Sequence, residues 1–218
     1  MDLIRAGLQD LDKARALFDQ LKADDIPDER CAELLSALAH ACDPDMALSN
    51  FVDIVNAMQS SQRDLEHVIP DNDALKRLVT VLGVSDAMGK LMRFRPDLVQ
   101  TAATDHCNSH LYNHDQRRAH VLESVGADPN DRMSPTATMD LADAATALRR
   151  TYRNQLAAII AQDTMSDDPI ALQPRISSEL SDLADAALEG ALAIARHEIT
   201  GSEHCRFAII GMGKLGAR

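Results

Sequence analysis

Apolar residues recur along much of the chain at steps of three, four and seven, the spacing that lines one face of an α-helix. Ile4, Leu8, Leu11, Phe18 and Leu21 predict a helix over about 2–22, and Cys31, Leu34, Leu35 and Leu38 a second over about 29–41. Leu48, Phe51, Val52, Val55 and Met58 predict a third, capped by Asp43 with Pro44 at its first position. A shorter amphipathic stretch holds Leu65, Val68 and Ile69. Asp71 caps the next helix, with Leu75, Leu78, Val79 and Leu82 inside it and Gly83 at its end. Ser85 caps another, carrying Met88, Leu91 and Met92 and stopping before Pro96. Residues 100–114 show no clear period, and a helix resumes over 115–125.

Two longer periodic segments follow. Leu141, Ala145, Leu148, Tyr152, Leu156 and Ile159 predict a helix over about 139–162; Ile176, Leu180, Leu183, Ala187, Ala191 and Ile194 predict one over about 175–200. The two are expected to pack antiparallel across a turn at 163–173. All eight prolines are expected between such segments or in a first turn, because proline lacks an N–H and clashes inside a helix. GADPNDRMSP, residues 126–135, has almost nothing apolar and reads as a linker. The period then changes: Arg206-Phe207-Ala208-Ile209-Ile210 is a short, partly β-branched run and reads as a strand, followed at once by GMGKLGAR. A lone strand cannot satisfy its own backbone groups. The run therefore reads as the first strand of a truncated sheet, and the chain as a fragment. The fold class is mainly α: a bundle-like helical chain whose two long helices lead into one C-terminal strand. The expected organisation is a helical region over 1–130, a long helical pair over 131–205, and a strand with a glycine turn over 206–218.

Composition supports this. Of 218 residues 45% are apolar but only 3% aromatic, so Leu and Ala supply most of the core, which favours helices. The net charge of −12 disfavours a generic nucleic-acid binder, which needs a basic face to replace phosphate counterions. No apolar run reaches about 18 residues, so no membrane span is expected. The charged N-terminus does not read as a secretory signal, and Cys31, Cys42, Cys107 and Cys205 lie far apart, as reduced thiols of a cytoplasmic protein would.

Four constellations could carry chemistry. Gly211-Met-Gly213-Lys214-Leu-Gly216 follows the predicted strand. Glycines there let backbone N–H groups approach a phosphate, and Lys214 adds a point charge. Taken bare, the match also fits a dinucleotide-binding turn. His106, His110 and His114 are four apart, with Cys107 and Asp115 adjacent, a spacing that could align imidazoles for a metal; surface histidines are the plainer reading. Asp10/Asp12, Asp43/Asp45 and Asp71/Asp73 could hold Mg²⁺, but the last two pairs sit at helix starts, where Asp caps free N–H groups. Arg149, Arg150 and Arg153 could meet phosphate or an acidic partner, or simply face solvent.

FAIIGMGKLGAR (207–218) resembles the start of the catalytic domain of glutamine synthetase adenylyltransferases, at the glycine-containing turn of the nucleotidyltransferase superfamily. LRRTYRNQLAAIIAQD (148–163) and LSDLADAALEGALAIARHEI (180–199) resemble the two helices before that turn, and VLGVSDAMGKLMRFRPDLV (81–99) an earlier segment. The resemblance is loose over 75–125 and good over 140–218. It departs at Ala217, where the family's turn has a second glycine.

Family members are several times longer, with two nucleotidyltransferase domains joined by a helical region. The first removes AMP from a Tyr of glutamine synthetase by phosphorolysis; the second attaches AMP from ATP. The resemblance implies that this chain belongs to the deadenylylating half. It implies Mg²⁺ and ATP or ADP as cofactors of the intact enzyme, and glutamine synthetase and a PII-type nitrogen-signalling protein as partners. It implies Gly211, Gly213 and Lys214 as nucleotide contacts, with the metal-binding carboxylates beyond Arg218. No catalytic residue or metal ligand is then expected in this chain, and the chain alone is expected to be inactive. The alternative is a helical interaction module with no catalysis of its own.

Overall fold

The structure is a computed structural model that describes residues 2–61, 68–104, 112–166, 168–199, 201–202, 205 and 208–212. Among these the regular elements are helices: α1 (Leu11–Ala23), α2 (Asp28–Leu38), α3 (Pro44–Ser60), α4 (Asn72–Leu82), α5 (Asp86–Phe94), α6 (Pro96–Ala103), α7 (His114–Ser124), α8 (Leu141–Thr164) and α9 (Pro169–Glu198). They form two compact units, one of residues 1–109 with 160–167, the other of 110–159 with 168–218.

In the first unit, α3 and α4 form the centre, against which α1, α2, α5 and α6 pack. Leu21, Leu34, Leu38, Leu48, Phe51, Ile54, Met58, Leu75 and Leu78 are fully buried there. The caps follow the sequence: Asp43, Asp71 and Ser85 accept from Met46, Ala74 and Met88 N–H at 2.9, 2.7 and 3.2 Å. Gly83 ends α4, but with φ −84°, which any residue adopts. Glycine is required for a different reason: a Cβ there would sit 2.9 Å from Ala41 Cβ.

Two boundaries in this unit depart from the periodicity. α1 starts at Leu11 rather than near residue 2. Gly7 adopts φ +80°, and the Asp10 side chain caps α1 by accepting from Lys13 N–H at 3.0 Å. The carboxylate of Asp45 accepts from Gln9 and Asp10 N–H at 2.9 and 3.2 Å and fixes that entry. Leu3, Ala6 and Leu8 are still buried, through turns instead of a helix. The second departure is α6, a helix for which Pro96 is the first position and not merely a stop; it buries Leu98, Val99, Ala102 and Ala103. Leu65 lies outside the described residues.

In the second unit, α7, α8 and α9 meet in one apolar cluster, and α8 and α9 again in a second. Leu122, Val125, Ala127, Ala137, Ala144, Ala193 and Ile194 cluster with Met139 and Leu148, and Ile159, Ile176 and Leu183 with Tyr152, Leu156 and Leu172. The start of α8 thus meets the end of α9 and the reverse, which is the expected antiparallel pairing. Gly190 lets α9 approach closely: a Cβ there would lie 2.8 Å from Val121 Cγ1 and 2.9 Å from Leu148 Cδ1. α9 begins at Pro169, earlier than predicted, and Pro174 lies inside it. The bond that Pro174 cannot donate is to the carbonyl of Ile170, in the exposed first turn where water can serve it.

The 126–135 stretch is irregular, as its composition predicts, but firmly held. Arg118 donates to the carbonyls of Pro129 and Asp131 at 2.6 and 2.9 Å, and Arg196 to that of Pro135 at 3.0 Å. Residues 208–212 form no regular element. The strand predicted over 206–210 is therefore not seen in its described part, and Arg206 and Phe207 lie outside the described residues. Among the described residues there is no second strand to supply a ladder, and no helix is long and apolar enough to cross a membrane.

Candidate functional site

Of the glycine turn, Gly211 alone is described; Gly213, Lys214 and Gly216 lie outside the described residues. Gly211 is exposed and borders a hollow of about 380 Å³ within the second unit. The helical wall comes from α9, where Asp185, Leu188, Glu189 and Leu192 recur at helical spacing, so one stripe carries both carboxylates and leucines. His114, the first residue of α7, and Ile209 complete the lining.

α7 is placed there by a capping box: the Asn113 side chain accepts from Gln116 N–H at 2.8 Å, and the Gln116 side chain accepts from Asn113 N–H at 3.0 Å. His114 Nδ1 lies 3.2 Å from Asp182 Oδ1, one turn before Asp185. A carboxylate only accepts, so Nδ1 carries the hydrogen in that bond. Glu189 is held by Arg118, whose Nε lies 2.7 Å from Oε2 and whose Nη2 donates to Oε1 at 2.8 Å.

The second unit also holds a buried polar cluster. Arg117 is 1% exposed and donates to Gln155 Oε1 at 2.8 Å, with Glu179 Oε2 3.7 Å away. Glu179 also accepts from Arg175 Nε at 2.9 Å, and Gln155 Nε2 lies 3.3 Å from His120 Nδ1. Burial pushes the pKa of the Arg117 guanidinium down, against the opposing pull of Glu179 and Asp182. Arg117 of α7, Gln155 of α8 and Glu179 of α9 thus meet in one cluster.

The other candidates resolve differently. His106, His110 and Cys107 lie outside the described residues, and among the described residues no group of three or more His, Cys, Asp or Glu is disposed to hold a metal ion. The Asp pairs act at helix ends, and the first pair proves to be one of them, with Asp10 as the α1 cap. Asp73 lines a separate groove of about 540 Å³ between α2 and α4, with Glu29, Glu33, His40 and Lys76. Arg149 and Arg150 are exposed on α8. The structure thus unites His114 with Gly211, which sequence spacing assigns to separate features. Asp182, Asp185 and Glu189 have only their helical spacing as a sequence signal.

Relatives agree with the resemblance. A family profile described as glutamate-ammonia ligase adenylyltransferase matches residues 75–218. A bifunctional glutamine synthetase adenylyltransferase/adenylyl-removing enzyme of Bifidobacterium longum strain DJO10A is 83% identical over all of this chain, which covers 20% of that protein. The same enzyme of B. longum subsp. infantis is 74% identical over the same share, and that of Cutibacterium acnes 32% identical, with 22% of its length covered. The chain therefore spans about a fifth of the length of these curated relatives. No solved structure matches it. The profile takes in most of the chain, including every residue that lines the hollow, so the chain belongs to the glutamate-ammonia ligase adenylyltransferase family.

Proposed function

We propose that this chain is the N-terminal part of an enzyme that regulates glutamine synthetase by adding AMP to, and removing it from, a Tyr, and that it serves the deadenylylating half. The observation that carries this is the 83% identity, over the full chain, to part of a relative named for both activities. In this reading the two units are helical support. Residues 206–210 form the first strand of a nucleotidyltransferase sheet in a protein of the relatives' length, and Gly211, Gly213 and Lys214 contact the nucleotide. The partners are glutamine synthetase and a PII-type signalling protein. The setting is the cytoplasm, in keeping with the free thiols of Cys31, Cys42 and Cys205.

The described residues fit a nucleotide in part: Gly211 is exposed at a hollow with an apolar wall. They do not fit the Mg²⁺ site, because no suitable ligand group occurs among them. When bound, a nucleotide with its metal supplies the phosphoryl chemistry, in which charge at phosphorus must be neutralised and the reacting oxygens held in line. This chain's share is positioning. The α7–α9 core holds Gly211 beside α9, and a glycine there leaves room for close approach of a phosphate to the backbone.

The test is to compare the 218-residue chain with the protein extended through its first nucleotidyltransferase domain, supplying adenylylated glutamine synthetase, phosphate and Mg²⁺. The extended protein should release ADP and the short chain should not. Turnover by the short chain would overturn the supporting role, and silence of both would overturn the reading.

A further inference from the structure

Three arginines stand together on α8 against the charge of the chain. Residues 144–162 hold Arg149, Arg150 and Arg153 and no acidic residue, although 34 of the 218 residues are acidic and the net charge is −12. Arg149 and Arg153 are one helical turn apart, a spacing at which like charges repel. Arg149 and Arg150 are exposed and Arg153 is half-buried. The Arg149 guanidinium donates to the Thr146 hydroxyl at 3.4 Å. Among the described residues neither Arg149 nor Arg153 pairs with a carboxylate. The unit matches other arginines: Arg117, Arg118, Arg132 and Arg175 each have a carboxylate 2.7–3.7 Å away.

The complement of such a face is an acidic protein segment, whose carboxylates accept two parallel hydrogen bonds from each guanidinium. We propose that this face of α8 docks an acidic surface segment of the glutamine synthetase on which the enzyme acts. This rests on the proposed function and adds where the protein substrate is held. Position favours it. α8 packs against α9, and Gly211 borders a hollow walled by α9, so a protein held on α8 is held by the unit that carries the glycine turn. A Tyr side chain does little to distinguish one protein from another, so contacts away from the reacting group must supply recognition. A nucleic acid fits less well. A chain of charge −12 repels an extended polyanion, whereas a short acidic segment senses only charges within the screening length, about 8 Å at physiological salt.

The test uses the protein extended through its first nucleotidyltransferase domain, carrying Arg149→Glu with Arg153→Glu, and adenylylated glutamine synthetase. At low ionic strength the KM for that substrate should rise about tenfold with kcat unchanged, and the difference should shrink as salt is added. Surface plasmon resonance on immobilised glutamine synthetase should show a matching fall in association rate. If Arg153→Glu disturbs the fold, seen by circular dichroism, the exposed Arg149→Glu decides alone, with a rise of about threefold. Unchanged KM and association rate overturn the docking surface. So does a lowered melting temperature in place of a KM change, the mark of a face covered by the rest of the longer protein, and so does loss of RNA binding in place of it. If the unmodified extended protein releases ADP and the reversed variant keeps its KM, the enzymatic reading stands and only the docking surface falls. If neither releases ADP, the association rates still decide the docking surface.

Discussion

Replacing Arg117 by Met tests the buried polar cluster that joins α7, α8 and α9. Methionine nearly matches the arginine stem in length and removes only the charged head. The loss has two parts. Glu179, itself buried, keeps Arg175 at 2.9 Å but loses its buried counter-charge. Gln155 loses the donor to its Oε1. Breaking a buried ion pair from one side costs about 3–5 kcal/mol. Because half-exposed Arg175 still serves Glu179, the lower end applies, about 3 kcal/mol. For a chain of this length that lowers the melting temperature by roughly 6–12 °C. Arg117→Met with Glu179→Leu removes both charges together and should restore most of the loss. Denaturant unfolding read by amide exchange in 114–124 and 176–194 isolates the second unit. A loss below about 1 kcal/mol for the single variant would refute the argument, as would a double variant worse than the single.

Gly190→Ala should destabilise the same unit by about 1–2 kcal/mol although alanine is the better helix former, because its Cβ would press on buried Val121 and on Leu148; adding Leu148→Ala should relieve part of this in denaturation curves. Hydrogen bonds from Ser134 and Met133 N–H hold the Asp131 carboxyl below its usual pKa. A depressed carboxyl contributes stability above its unfolded value and loses it as pH falls through the folded value. The 128–134 loop should therefore loosen only below the ordinary carboxylate range, near pH 4, with the Met133 and Ser134 amides exchanging faster; Asp131→Asn should remove that dependence. Burial pushes the Cys31 thiol up, whereas Cys42 is exposed. Iodoacetamide should label Cys42 in the folded chain and reach Cys31 only after unfolding.

Helix caps are legible in the sequence because their chemistry is local. An Asp or Ser just before a periodic run, as at Asp43, Asp71 and Ser85, satisfies N–H groups three residues on. The ends that depend on tertiary contacts are not. Ile4 and Leu8 keep the spacing of α1, but Gly7 turns the backbone and Asp45 from α3 fixes the entry. Pro96 and Pro174 have two meanings, and only packing shows that the first starts a helix and the second sits inside one. Of the hollow's lining, sequence spacing singles out His114 and Gly211, as parts of two separate features. The pairing of His114 with Asp182, and of Glu189 with Arg118, joins residues far apart in sequence across two helices, and no local pattern announces it.

In the proposed function, the helical core presents the glycine turn to a nucleotide. The most direct measurement is ADP formation from adenylylated glutamine synthetase and phosphate by the extended protein carrying Gly213→Val. A side chain at that turn should block close backbone approach to phosphate, so ADP release should fall to background while the helical circular dichroism is unchanged. Undiminished ADP release by a folded Gly213→Val protein would contradict the account.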